Sequence, residues 1–134
     1  MSGLDDLFDL AKTARENAYA PYSRFHVGAA LRTASGALFA GCNVENAAYP
    51  VGACAEAGAI GAMIFGGERQ IAEILVLGSG PDKIAPCGAC RQRIAEFSSA
   101  TTLVHLADES RSIQSYPLES LLPHAFGPGD LAKG

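Results

Sequence analysis

Near the start of the chain, apolar residues recur at steps of three and four: Leu4, Leu7, Ala11, Ala14 and Ala18. That spacing places them on one face of a helix. Ser2 is positioned to cap it, and Asp5 and Asp6 fall in the first turn, where the helix dipole favours negative charge. Pro21 is expected to end it. The period then changes to two. Val27, Ala29 and Leu31 alternate within a strand expected over residues 25–32, Ser35 and Gly36 supply a turn, and residues 38–44 return as the partner strand. Residues 54–65 carry almost no polar side chain except Glu56, which predicts a helix buried on all sides. Gly58 and Gly61 each cost that helix roughly 1 kcal/mol relative to Ala, a cost that close approach of neighbouring elements explains.

Gly66 and Gly67 close this helix, and residues 74–77 form a continuous apolar run, the pattern of a central strand covered on both faces. Pro86 opens a further helix to residue 97, followed by strands at 102–106 and 111–116, a short helix at 118–122 and a loop-like tail from His124. Only about four residues join the last two strands, whereas a parallel crossover needs a dozen or more, so these strands are antiparallel neighbours. The expected architecture is an α/β fold: a three-layer α/β/α sandwich around a five-stranded mixed sheet, formed by residues 1–134 as one domain.

Composition narrows the function. With 134 residues, 49% of them hydrophobic, the chain can enclose a core of its own. A formal net charge of −4 and the lack of a Lys/Arg-rich run argue against a nucleic-acid reader, which meets phosphates with a basic face. The acidic, helix-patterned N-terminus is no signal peptide, and the longest apolar stretch is too short to span a bilayer, so the expected location is the cytoplasm. In that reducing setting the four cysteines read as metal ligands, nucleophiles or core residues before disulfides.

The chemistry is concentrated in two clusters. Cys54-Ala55-Glu56 is followed thirty residues later by Pro86-Cys87-Gly88-Ala89-Cys90. Structural zinc sites normally take four protein ligands, and catalytic ones take three and leave a position for water. Cys54, Cys87 and Cys90 fit the open arrangement. Cys87 and Cys90 lie three apart at a helix start, so they share a face, and the positive end of the helix dipole favours their ionised form. Positions two apart on a helix do not share a face. Cys54 and Glu56 therefore meet at one metal only if it lies off the helix tip, which leaves Glu56 as a proton carrier and not a ligand.

A cysteine triad with a non-ligand glutamate is the signature of zinc-dependent deaminases. The resemblance extends through Phe25-His26-Val27-Gly28-Ala29-Ala30, Gly41-Cys42-Asn43-Val44-Glu45-Asn46-Ala47-Ala48-Tyr49, Cys54-Ala55-Glu56, Pro86-Cys87-Gly88-Ala89-Cys90-Arg91-Gln92 and Leu121-Leu122-Pro123. In this order the segments resemble those of the homotetrameric zinc-dependent cytidine deaminases. The resemblance implies one Zn2+ per subunit on Cys54, Cys87 and Cys90, Glu56 as the catalytic proton shuttle, and hydrolytic attack of zinc-activated water on C4 of cytosine. It implies a small nucleoside substrate, cytidine or 2'-deoxycytidine, giving uridine or 2'-deoxyuridine and ammonia in pyrimidine salvage. Asn43 and Glu45 resemble the pair that binds the ribose 3'-hydroxyl, and Phe25 the aromatic that packs on the pyrimidine. Tyr49 and Phe126 resemble residues lining sites shared between subunits, with a homotetramer as the expected unit.

One position departs from the family. Many three-cysteine members carry an Arg after the glutamate, hydrogen-bonded to the ligand sulfurs, and this chain has Ala57. Three thiolates and Zn2+ sum to about −1, which opposes forming a further anion there. Backbone N–H groups, or another basic residue such as Arg91, are the expected counterweights.

Plainer readings exist for each residue. The cysteines fit a structural zinc site if Cys42 is a fourth ligand, but Cys42 falls in a strand pattern and reads as a small buried residue. Glu56 as a merely buried carboxylate is disfavoured by the cost of an unpaired charge in an apolar helix. Asn43 and Glu45 alone read as a polar turn, Phe25 as core, and His26, His105 and His124 as strand or loop histidines without a metal role. Competing functions are a deaminase of a modified cytosine nucleoside such as blasticidin S, a polynucleotide deaminase acting on a flipped base, and a non-catalytic zinc-binding interaction module. The run Asn43-Val44-Glu45-Asn46 opposes the first, and the short final connection opposes the second. Glu56 beside an open ligand position opposes the third.

Overall fold

A computed structural model describes residues 3–132. The expected cap Ser2 lies outside the described residues. Five strands, β1 (Val27–Thr33), β2 (Leu38–Cys42), β3 (Ile71–Gly78), β4 (Leu103–Ala107) and β5 (Ile113–Pro117), form one sheet in the order β2-β1-β3-β4-β5. Only β3 and β4 run parallel; β1–β2, β1–β3 and β4–β5 are antiparallel, as the short final connection requires. The helices are α1 (Gly3–Glu16), α2 (Ala55–Phe65), α3 (Gly88–Glu96), α4 (Leu118–Leu121) and α5 (Pro128–Leu131). None of the described helices is long and apolar enough to cross a membrane.

Burial explains the layering. Leu7, Phe8 and Ala11 of α1 close over Ala30, Leu75, Leu77 and Ala107 on one face of the sheet. On the other face Ala59, Ile60 and Met63 of α2 and Ile94 of α3 pack with Leu31, Ile74, Val104 and Leu106. β3 therefore has apolar cover on both sides, and Ile74, Leu75, Val76 and Leu77 are fully buried.

Several local expectations are corrected. The first helix ends at Glu16, well before Pro21, because the chain turns at Asn17 so that Tyr19 can bridge to Val44. Phe8 and Arg15, not Ala14 and Ala18, complete its buried face. The α2 helix is not buried all round: Phe65 is 95% exposed and Gly61 faces open space, so the described chain covers only one side of it. The tail is not wholly loop. Pro128 starts the short α5, and the Gly127 N–H donates to the Asp130 carboxylate at its first turn. β1, β2, β4 and β5 each begin or end one or two residues from their sequence-based bounds, within the usual fraying of element ends, whereas β3 begins three residues early, at Ile71.

Two glycines set how closely the helices approach the sheet. A Cβ on Gly28 of β1 would stand 1.9 Å from the Ala11 carbonyl oxygen of α1, and one on Gly41 of β2 would stand 2.3 Å from the Ala59 nitrogen of α2. Gly58 meets Gly41 from the helix side, where an added Cβ would lie 3.4 Å from the Gly41 Cα. Gly41→Ala therefore forces backbone from backbone. Overpacking of this kind costs about 1–3 kcal/mol or more, and at this size a fall in the thermal midpoint of at least about 5 °C is expected. A calorimetric midpoint unchanged from wild type would contradict this contact.

Candidate active site

Both clusters sit at helix starts that point to one cleft. Cys54 is the N-cap of α2 and Cys87 the N-cap of α3, each in extended backbone (φ −78°, ψ 157° and φ −65°, ψ 168°), so their sulfurs lie off the helix tips. Cys90 follows one turn into α3 and is fully buried. The three Sγ atoms lie within 4.8 Å of one another. Two thiolates bound to one zinc at about 2.3 Å would stand roughly 3.8 Å apart, a separation this cluster accommodates.

Electrostatics sort the three sulfurs. The backbone N–H of Cys90, and then that of Ala89, hold the Cys87 thiol below its ordinary range against partial burial. Burial pushes the Cys54 and Cys90 thiols up, and the Glu56 charge adds to the rise at Cys90. Ionising all three together calls for a cation among them, and a soft divalent metal is the partner that thiolates select. The donor set fits zinc.

Glu56 occupies the first turn of α2 and is 4% exposed. Burial raises its carboxyl above the usual range; its own backbone N–H, the Cys90 thiol and the Arg93 charge oppose that rise. It nevertheless lines a cavity of about 350 Å³ together with Val27, Asn43, Glu45, Ile84 and Cys87. A buried carboxyl that opens onto a partly apolar cleft beside three thiols is a placement suited to proton transfer and unusual for a structural group.

The remaining predicted residues divide. Asn43 is braced at the mouth of β1: its Oδ1 accepts from the Val27 N–H at 2.8 Å and its Nδ2 donates to the Phe25 carbonyl at 2.9 Å. Glu45 accepts from the backbone N–H groups of Tyr22 and Ser23, at 3.0 and 3.1 Å, and from the Ser23 hydroxyl. Those bonds, the Ser23 hydroxyl first, hold its carboxyl below the usual range. Tyr49 borders the same cleft and meets Tyr22 edge-on, centroids 6.0 Å apart. Phe25, 37% exposed, and Ile84 of the cleft wall both lie against Gly78, so Phe25 stands beside the cleft but outside the cavity lining. Phe126 is not brought to Glu56; it lies at a different cavity with Ala95 and Leu122, where its carbonyl accepts from Gln92 at 2.7 Å.

Two expectations change here. Cys42 lies on β2 opposite Gly28 and is only partly buried, outside the cysteine cluster. Arg91 is not directed at the sulfurs, because its guanidinium donates to the carbonyls of Pro86 (2.9 Å) and Leu121 (3.1 Å). The side chain that reaches a ligand is Arg93, whose Nη1 donates to Cys90 Sγ at 3.4 Å. The signal was in the spacing, since Arg93 stands three residues after Cys90 just as Cys90 stands three after Cys87. Of the histidines, His26 donates from Nδ1 to the Arg24 carbonyl, His105 is buried between Ser115 and Glu73, and His124 sits in a loop at φ 55°.

Comparison with known proteins converges on this geometry. Residues 1–106 match the family model described as the cytidine and deoxycytidylate deaminase zinc-binding region. A cytidine deaminase of Sporosarcina psychrophila is 40% identical over 129 residues, which are 96% of this chain and 95% of that protein. A probable cytidine deaminase of Dictyostelium discoideum is 37% identical over 129 residues, 96% of this chain and 86% of that one. The crystal structure of cytidine deaminase from Burkholderia pseudomallei superposes with a TM-score of 0.87 at 45% identity, covering 94% of this chain and all of that one.

Proposed function

The chain belongs to the cytidine and deoxycytidylate deaminase zinc-binding family, and from that premise we propose how its residues divide the work of zinc-dependent cytidine deamination. The observation that carries this reading is the buried Glu56 carboxyl opening onto the cleft beside Cys54, Cys87 and Cys90.

Cys54, Cys87 and Cys90 are the residues that hold zinc. Bound there, the metal supplies Lewis-acid chemistry, bringing the pKa of water toward neutrality. Glu56 takes a proton from the attacking water at its carboxylate oxygen and delivers it to N3 of the cytosine ring. It then takes the remaining proton from the new C4 hydroxyl and delivers it to the amine as the bond from C4 to that nitrogen breaks, so that cytidine and water become uridine and ammonia. Val27 and Ile84 form apolar walls that keep bulk water from the ring, with Phe25 next to that wall as the packing aromatic.

Asn43 and Glu45 bind the ribose 3'-hydroxyl, and 2'-deoxycytidine is accepted with cytidine. The bonds each already makes fix its orientation, and an ionised carboxylate still has lone pairs free for a sugar hydroxyl. Tyr49 and Phe126 complete sites shared between copies in a homotetramer. The distance of Phe126 from the Glu56 cleft in its own chain, and the uncovered side of α2, support that assembly. The whole chain acts as one catalytic domain in the cytoplasm.

Glu45→Ala tests the sugar contact. It is expected to raise KM for cytidine at least tenfold, since a lost hydrogen bond to a charged group is worth about 1.5–3 kcal/mol, and to narrow the preference for nucleoside over free cytosine. An unchanged KM ratio would remove Glu45 from the sugar site. The reading as a whole is tested by following cytidine, deoxycytidine and blasticidin S with the purified protein: the first two are consumed, and consumption of blasticidin S alone would assign the modified-nucleoside activity.

A further inference from the structure

The charge of the cysteine cluster and the placement of one arginine carry a step beyond the division of labour above, and rest on it. Three thiolates around Zn2+ leave about −1, and an ionised Glu56 adds to it. Ala57, the residue after Glu56 on the first turn of α2, offers no donor. Arg91 is committed to two backbone carbonyls. Lys83 is committed to Asp108 at 2.7 Å. Arg93 differs from both. Among the described residues it has no carboxylate partner, and its one hydrogen-bond partner is a ligand sulfur, Cys90 Sγ at 3.4 Å.

We propose that Arg93 is the positioning cation of the metal site, holding the Cys90 sulfur in its ligand orientation and offsetting the negative charge of the cluster from α3. The helix makes this inevitable once the ligands are set. Cys87, Cys90 and Arg93 are spaced at three, so the guanidinium follows the two sulfurs along one stripe of α3. Arg93 touches neither substrate nor reacting atom; it acts through Cys90. Because the side chain is exposed on the protein surface, its field is partly screened by solvent. Its replacement therefore leaves the fold intact.

The test uses zinc-loaded protein challenged with an excess of a chromophoric chelator, reading the half-time of zinc release. Arg93→Gln is expected to release zinc about tenfold faster, the lower end of the range for groups that hydrogen-bond a metal ligand. Arg93→Lys keeps the charge and is expected to stay within about threefold of wild type, because the charge supplies most of the effect. Adding Ala57→Arg to Arg93→Gln returns a guanidinium to the cluster from α2 and is expected to recover most of the loss. The gap between wild type and Arg93→Gln is expected to shrink as salt is raised, a dependence that a packing role would not produce. Equal half-times for wild type and Arg93→Gln would overturn the proposal. So would an Arg93→Lys protein that releases zinc as fast as Arg93→Gln, with no recovery from Ala57→Arg. Zinc content and cytidine turnover of the wild-type preparation are read alongside. An active zinc protein indifferent to Arg93 sinks only this inference, whereas a protein with neither sinks the deaminase reading too.

Discussion

Glu56→Gln is expected to keep about one zinc per chain and to lower cytidine turnover by roughly 10³-fold, within the range for a positioned acid–base group. The substitution keeps shape and replaces an ionisable oxygen by an amide. Glu56 is 4% exposed, and burial already penalises its charged form, so removing the charge does not cost the fold. The sulfurs stay where they are, since Cys54 and Cys87 are placed by the helix N-caps and Cys90 by its burial on α3. Loss of turnover with metal retained is the mark of a proton carrier that is not a ligand. Zinc per chain by elemental analysis and the fall in cytidine absorbance, read on one preparation, check it. A Glu56→Gln protein that had lost its zinc would make Glu56 a ligand, and one that stayed active would remove it from catalysis.

Cys90→Ala carries the second large effect. Substituting a group that merely supports a ligand typically costs 10–100-fold in metal affinity, so deleting the ligand itself is expected to exceed about 100-fold and to abolish turnover at ordinary zinc levels. Cys90 is fully buried on α3, and Arg93 loses its hydrogen bond to the sulfur with it. The core on that face still rests on Ile94, Ile74, Val104 and Met63. The chelator-treated variant and chelator-treated wild type are therefore expected to unfold at closely similar temperatures, while only wild type gains stability when zinc is returned, as binding to the native state alone requires. Chelator competition and thermal melts with and without zinc give both numbers. Wild-type affinity in Cys90→Ala would take this residue out of the metal site.

The chemistry of the site was the most legible part of the sequence. Cysteine spacing, helix starts and the position of Glu56 are local properties, and each maps onto geometry through the helical period. The sheet was legible for the same reason: alternation at Val27, Ala29 and Leu31, the apolar run at 74–77, and a connection too short for a crossover. What escaped the sequence depends on packing between distant segments. An apolar helix reads the same whether covered by its own chain or left open, so the exposure of Gly61 and Phe65 on α2 could not be seen in it. Pro21 looked like the natural stop for α1, yet the pairing of Tyr19 with Val44 ended the helix at Glu16. Arg91 stood closer in sequence to the cysteines, but one step along a helix turns a side chain by about 100° and three steps bring it back to the same face. Arg93 therefore meets Cys90, and Arg91 meets carbonyls.

The most direct test is a zinc titration of the metal-stripped protein with cytidine as substrate, measuring uridine and ammonia together. Turnover is expected to be absent without metal, to rise in proportion to added zinc, and to level off at about one zinc per chain, with uridine and ammonia formed in equal amounts. Cytidine turnover independent of zinc, or zinc bound at that ratio with no uridine or ammonia formed, would contradict the assignment of Cys54, Cys87, Cys90 and Glu56 as a deaminase centre.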